Sequence, residues 1–163
     1  MNNIYLIGFM GSGKSSIAAG LNKLHGMTIV EMDQELVDRE GMSINDIFAE
    51  KGEDYFRSKE TELLMEISEK DNMVVSCGGG VVTRIENIEL MKNSGKVILL
   101  SATPETIYDR LKDTDDRPLL KGNMNVPYIA QMIEQRRPMY MTAADEIVVV
   151  DGKSPEEICR EII

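Results

Sequence analysis

Five short apolar runs, at residues 4–7, 28–30, 73–76, 97–100 and 147–150, alternate with stretches whose apolar positions recur at helical spacing. Runs this short, rich in Ile, Val and Leu, predict buried strands. The stretches between them predict helices over 14–25, 34–40, 55–69, 85–93, 104–112, 125–142 and 155–163. Residues 43–46 open a further short helix, with Ser43 placed as its cap. Thr103-Pro104-Glu105 and Ser154-Pro155-Glu156 set a proline at the first helical position behind a capping hydroxyl. Pro138, inside the 125–142 pattern, predicts a kink or a stop. Strands alternating with helices predict an α/β fold, a single domain over 1–163 whose five-stranded parallel sheet carries helices on both faces. Ligands of such sheets sit beyond the carboxyl ends of the strands, so the residues just after each run are the ones to interrogate.

Gly8-Phe9-Met10-Gly11-Ser12-Gly13-Lys14-Ser15 follows the first run directly. The spacing is that of a phosphate loop between a strand and a helix. Its glycines permit the turn that aims backbone N–H groups at phosphates, Lys14 adds a positive charge, and the Ser15 hydroxyl suits Mg²⁺. The helix that begins there adds its positive end. The fold expected is therefore that of a P-loop NTPase.

After the second run comes Glu31-Met32-Asp33. Two acids there suit a metal-bound water or a hydroxyl proton, and equally suit the first turn of a helix. The third run ends in Cys77-Gly78-Gly79-Gly80, without the acid that usually helps hold magnesium at that point. That task then falls to Glu31 or Asp33. Three glycines leave bare backbone for a ligand, where a plain turn rarely needs three. Arg57 and Glu60 stand three residues apart on a helix and, as a bare pair, read as a solvated surface bridge. Arg110 and Arg117 flank a polar stretch punctuated by Pro118 and Gly122, either an ordinary loop or a lid over a transferring phosphoryl group. Arg136 and Arg137 point to different faces, so at most one reaches a site.

Composition narrows the function. The 163 residues carry a formal net charge of −10, which argues against nucleic-acid binding and requires basic residues to gather locally for a nucleotide. No apolar run approaches a membrane span, and no signal peptide is visible. Two scattered cysteines, Cys77 and Cys159, suit a reducing cytoplasm and no zinc site. His25 reads as a surface residue, Cys77 as a small buried apolar group, and the 12 methionines as adaptable core filler.

Taken in order, the phosphate loop, Asp33, Ser43-Ile44-Asn45-Asp46-Ile47-Phe48, Phe56-Arg57 with Glu60, Gly78-Gly79-Gly80, Arg117-Pro118-Leu119-Leu120 and Arg136-x-Pro138-x-Tyr140 resemble the shikimate kinase family over essentially the whole chain. The resemblance implies ATP-dependent phosphorylation of the 3-hydroxyl of shikimate, with Mg²⁺, by a cytoplasmic enzyme of aromatic amino-acid biosynthesis. A monomer is the default expectation. It implies ATP contacts from Gly11, Ser12, Gly13, Lys14, Ser15, Ser16, Arg110, Arg117, Lys153 and Pro155. It implies acceptor contacts from Asp33, Phe48, Phe56, Arg57, Gly78, Gly79, Gly80 and Arg136, within a helical segment at about 33–61. Lys14, Asp33 and Arg117 carry the chemistry in this reading, under a mobile lid at about 113–124. Ser15, and Glu31 through water, hold the metal. Glu31 stands where the family usually has Asp, one methylene shorter. Kinases for gluconate or a nucleoside monophosphate, and a non-catalytic nucleotide-binding module, are the competing readings.

Overall fold

The computed structural model describes residues 2–112 and 125–162. Its strands are β1 (Asn3–Ile7), β2 (Thr28–Glu31), β3 (Met73–Ser76), β4 (Gly95–Ser101) and β5 (Glu146–Val149). They form one parallel sheet in the order β2-β3-β1-β4-β5. The helices are α1 (Lys14–His25), α2 (Met32–Glu40), α3 (Ile44–Lys51), α4 (Glu53–Ser68), α5 (Ile85–Ser94), α6 (Pro104–Leu111), α7 (Val126–Ala143) and α8 (Pro155–Ile162).

The two-residue period of a strand sorts the core onto the two faces of the sheet. Ile4, Leu6, Val74, Ile98, Leu100 and Val148 pack with α1 and α8. Tyr5, Ile7, Val75, Val97 and Leu99 pack with the helices of the opposite face. The edge strands are half open: Ile29 on β2, and Ile147 and Val149 on β5, are exposed. Register does the positioning. Glu31 pairs with Ser76, and Ser76 with Leu6, so β2, β3 and β1 run out side by side. The chain leaves all three at one rim, where the crossovers part to opposite sides of β1.

The predicted caps form. Ser43 accepts from the Asp46 N–H, Thr103 from Thr106, and Ser154 from Glu157. The expected stop at Pro138 does not occur, because α7 continues through it to Ala143. The carbonyl of Pro138 is used by the Thr142 hydroxyl, and Tyr140 and Ala143 beyond it are buried. Packing of the last turn outweighs the missing N–H of one proline.

At the opposite rim a buried amide ties the sheet to α4. The Asn3 side chain accepts from the Met73 N–H at 3.0 Å and donates to the Ile67 and Lys70 carbonyls at 3.2 and 3.1 Å. Asn3→Ala strands these buried groups, so we expect it to cost about 2–3 kcal/mol. Urea unfolding measures this, and a midpoint equal to the parent's would refute it.

Candidate active site

The rim holds a cleft of about 690 Å³ lined by the loop after β1, by Glu31 and Asp33, and by Arg110, Lys153 and Pro155. Gly8, Gly11 and Gly13 of the loop all have positive φ, and Gly13, at +100°, begins α1 without a side-chain cap. The N–H groups of the first turn are thus left to a ligand. Lys14 curls back, donating to the Gly8 and Phe9 carbonyls at 2.7 and 3.3 Å. The Ser12 hydroxyl is buried with no hydrogen-bond partner among the described residues. Ser15 and Ser16 line the cleft beside it. Arg110 donates to the Gly11 carbonyl at 2.8 Å, joining the end of α6 to the loop.

Glu31 occupies the N-cap position of α2, yet makes no side-chain cap. Its Oε2 accepts instead from the Ser15 hydroxyl at 2.9 Å. The two place hard oxygens side by side on the cleft wall, the donor type that would suit Mg²⁺ directly or through a bound water. No group of three His, Cys, Asp or Glu side chains surrounds a point among the described residues. A site with few protein oxygens suits Mg²⁺, which keeps waters and substrate phosphates as ligands.

Next to this cleft, and sharing Met10, Asp33, Ile44 and Gly79 with it, lies a smaller one of about 50 Å³. It is lined also by Phe48, Phe56, Arg57, Gly78, Gly80 and Arg136. The glycines explain how so many large groups converge. A Cβ on Gly78 would stand 2.8 Å from both Asp33 Oδ1 and Glu60 Oε2. On Gly79 it would meet Arg136 Nη1 at 3.3 Å, and on Gly80 it would run into the Arg57 guanidinium. The strip is fixed from below by the Tyr140 hydroxyl, which donates to the Gly79 carbonyl at 2.7 Å. The turn that follows, Val81–Thr83, is held by Asn87, which donates to the Val81 carbonyl and accepts from Thr61.

The Arg57–Glu60 pair is not a solvated bridge. Arg57 Nη1 donates to Glu60 Oε1 at 3.1 Å, and the two residues are 7% and 0% exposed. The helix brings them together, but the glycine strip that follows β3 roofs them. Arg136, 8% exposed, faces the same strip, while Arg137 turns outward to Glu134. Two buried groups here lack partners among the described residues: the donor Arg136 Nη1 and the acceptor Glu60 Oε2. Phe48 and Phe56 pack at 5.2 Å between ring centres, and the Arg57 guanidinium lies 5.3 Å from the Phe56 ring. Burial pushes the Glu60 carboxyl up to about 7, against the pull of Arg57 and with a further push from Asp33. Burial drives the Cys77 thiol far above its ordinary range, so it serves as a packed apolar group.

Glu60 and Tyr140 are the site residues that sequence patterns under-read. Glu60 looked like half of a surface pair, and only the distant glycines betray its burial. Tyr140 was legible only as the last letter of Arg-x-Pro-x-Tyr. Arg117, Arg-Pro-Leu-Leu and the expected lid at 113–124 lie outside the described residues.

The family model for shikimate kinase matches residues 10–163. A shikimate kinase of Persephonella marina is 44% identical over 163 residues, 100% of this chain and 98% of the relative. Among solved structures, the shikimate kinase of Acinetobacter baumannii in complex with shikimate superposes with a TM-score of 0.95 at 30% identity, covering 99% of this chain and 90% of that one. A gluconokinase of Sinorhizobium meliloti, 17% identical with a TM-score of 0.59 over 98% of this chain and 88% of its own, shares the fold alone.

The raised Glu60 carboxyl gives a pH signature. Between the unfolded value near 4.3 and about 7, the folded state binds this proton more tightly. Its contribution to stability is therefore full below that window and lost as pH rises through about 7. We expect Glu60→Gln to flatten the fall in stability from pH 4.5 to 7.5 in urea titrations. Parallel profiles for variant and parent would show that Glu60 does not titrate there.

Proposed function

The chain belongs to the shikimate kinase family, and on that premise we propose that it transfers the γ-phosphoryl group of ATP to the 3-hydroxyl of shikimate. In this reading it acts in the cytoplasm as a single chain, with residues 33–61 closing over the acceptor. No helix among the described residues is long and apolar enough to cross a membrane.

The observation that carries the proposal is the pair of unmatched buried groups beside the glycine strip. Arg136 Nη1 wants an acceptor, and Glu60 Oε2 wants a hydrogen-bond partner of either kind, since its carboxyl titrates at about 7. A hydroxy acid supplies both, its carboxylate to the arginines and a hydroxyl to the acid side. Guanidiniums suit the carboxylate through planar, paired donation. The cleft of about 50 Å³ adjoins the larger one through Met10, Asp33, Ile44 and Gly79, so a ring seated against the glycine strip extends toward the phosphate loop.

Asp33 lines both clefts. In the proposed mechanism it orients the acceptor hydroxyl and takes its proton as the new P–O bond forms. The bond from γ-phosphorus to the bridging oxygen breaks in line, and ADP leaves with that electron pair. Lys14 releases its two loop carbonyls and turns to the phosphates, where its charge counts most as negative charge shifts. Ser15, and Glu31 through water, would hold Mg²⁺, which when bound supplies charge neutralisation at the phosphates. Arg110, Lys153 and Pro155 wall the base.

The test is phosphoryl transfer across a panel of shikimate, gluconate and a nucleoside monophosphate, with parent and Asp33→Asn. We expect turnover of shikimate alone, and a kcat lowered about 10²-fold or more in the variant. Comparable turnover of gluconate would refute the acceptor, and a parental kcat in Asp33→Asn would remove Asp33 from the chemistry.

A further inference from the structure

Asp151 lies outside both clefts, at the turn between β5 and α8, and carries more hydrogen bonds than a turn requires. Its Oδ1 accepts from the Thr103 N–H at 3.1 Å, the Thr103 hydroxyl at 3.1 Å and the Thr106 hydroxyl at 2.6 Å. All three donors belong to the N-terminus of α6, where Thr103 is the cap. The carboxylate therefore also meets the positive end of that helix. Burial pushes the carboxyl up, but the bonds from Thr106 and Thr103 prevail and hold it below its ordinary range.

The two elements it joins both line one pocket. Beyond Asp151, Gly152 turns at φ +73° and the Lys153 N–H returns to the Val150 carbonyl at 3.1 Å. This short turn delivers Lys153 and Pro155 to the large cleft. From Thr106 the helix runs one turn to Arg110, which reaches the same cleft and donates to the Gly11 carbonyl. The other bonds of the 151–154 turn stay within its own stretch of chain, from the Lys153 N–H to Val150, between Ser154 and Glu157, and from the Lys153 side chain to Glu161 on α8, whereas those of Asp151 cross to α6.

We propose that Asp151 is a positioning residue for the nucleotide base: it staples the turn bearing Lys153 and Pro155 to the helix bearing Arg110 and so fixes the width of the slot between them. This rests on the proposed location of the base beside those three residues. The staple touches neither the phosphates nor the acceptor. Its loss therefore acts on base-containing ligands and spares those that bind through phosphate or carboxylate alone. A cap that merely stabilised α6 would not discriminate in this way.

The experiment is calorimetric binding of ADP, tripolyphosphate and shikimate to the parent and to Asp151→Ala, Asp151→Asn, Thr106→Val and Arg110→Ala. We expect Asp151→Ala to weaken ADP by about five- to tenfold, the scale of one ordinary hydrogen bond. Tripolyphosphate and shikimate should stay within about twofold of the parent. Asp151→Asn, whose amide oxygen still accepts, should recover most of the ADP affinity, and Thr106→Val should fall between. Should Asp151→Ala unfold, the Asn and Val variants carry the same comparison. Parental ADP affinity in Asp151→Ala with weakened ADP in Arg110→Ala overturns the staple alone. Parental ADP affinity in both overturns the location of the base as well. Equal losses for all three ligands reduce Asp151 to a stabilising cap and overturn the proposal.

Discussion

Charged side chains are drawn out of water around a strip of backbone that has no side chains of its own. Arg57, Glu60 and Arg136 are buried against Gly78–Gly80, with Asp33 alongside. Removing such ions from water costs several kcal/mol each, and a partner recovers the cost only when geometry and hydrogen bonding are good. Here the compensation is incomplete, because Arg57 has Glu60 while Arg136 Nη1 and Glu60 Oε2 keep unmatched valences. The protein stabilises this arrangement with a large core on both faces of the sheet, and the unmatched groups define what a ligand must bring. In the proposed reading, a carboxylate and a hydroxyl on one small ring complete the set.

The rest of the fold serves that convergence. The parallel register brings β2, β3 and β1 out at a common rim, so Glu31, the glycine strip and the phosphate loop emerge side by side. The four-residue spacing on α7 lets Arg136 face the strip while Tyr140 grips the Gly79 carbonyl beneath it. The three-residue spacing on α4 pairs Arg57 with Glu60. Asp33, at the start of α2, belongs to both clefts. In the proposed mechanism the donor and acceptor halves meet at this one carboxylate, as in-line transfer requires.

What was legible in the sequence follows from how local its cause is. The phosphate loop, the strand runs and the caps at Ser43, Thr103 and Ser154 depend on neighbours within a few residues, and they appear where the pattern puts them. Glu31 was ambiguous because a helix-capping acid and an acid turned toward the phosphate loop share one sequence, and only the direction of the side chain toward Ser15 separates them. The burial of Arg57 and Glu60 was misread because a pair at helical spacing carries no information about what covers it. Its cover comes from glycines about 20 residues away in sequence, read separately as room for a ligand. Of the kink or stop that Pro138 offered, the stop fails for the same reason, since its local cost is offset by the burial of Tyr140 and Ala143 on the far side, and the helix runs on as the 125–142 pattern predicts.

The central claim, that the missing side chains of the strip make the acceptor site, has a clean test at Gly80. Its backbone, at φ −100° and ψ 11°, is open to alanine, so Gly80→Ala adds only a methyl group directed at the Arg57 guanidinium. Calorimetry with shikimate and with ADP reads the two halves of the site separately. Shikimate affinity is expected to fall by about tenfold or more, the scale of a displaced charged hydrogen bond, with ADP affinity unchanged. A variant that binds shikimate as tightly as the parent would contradict the account.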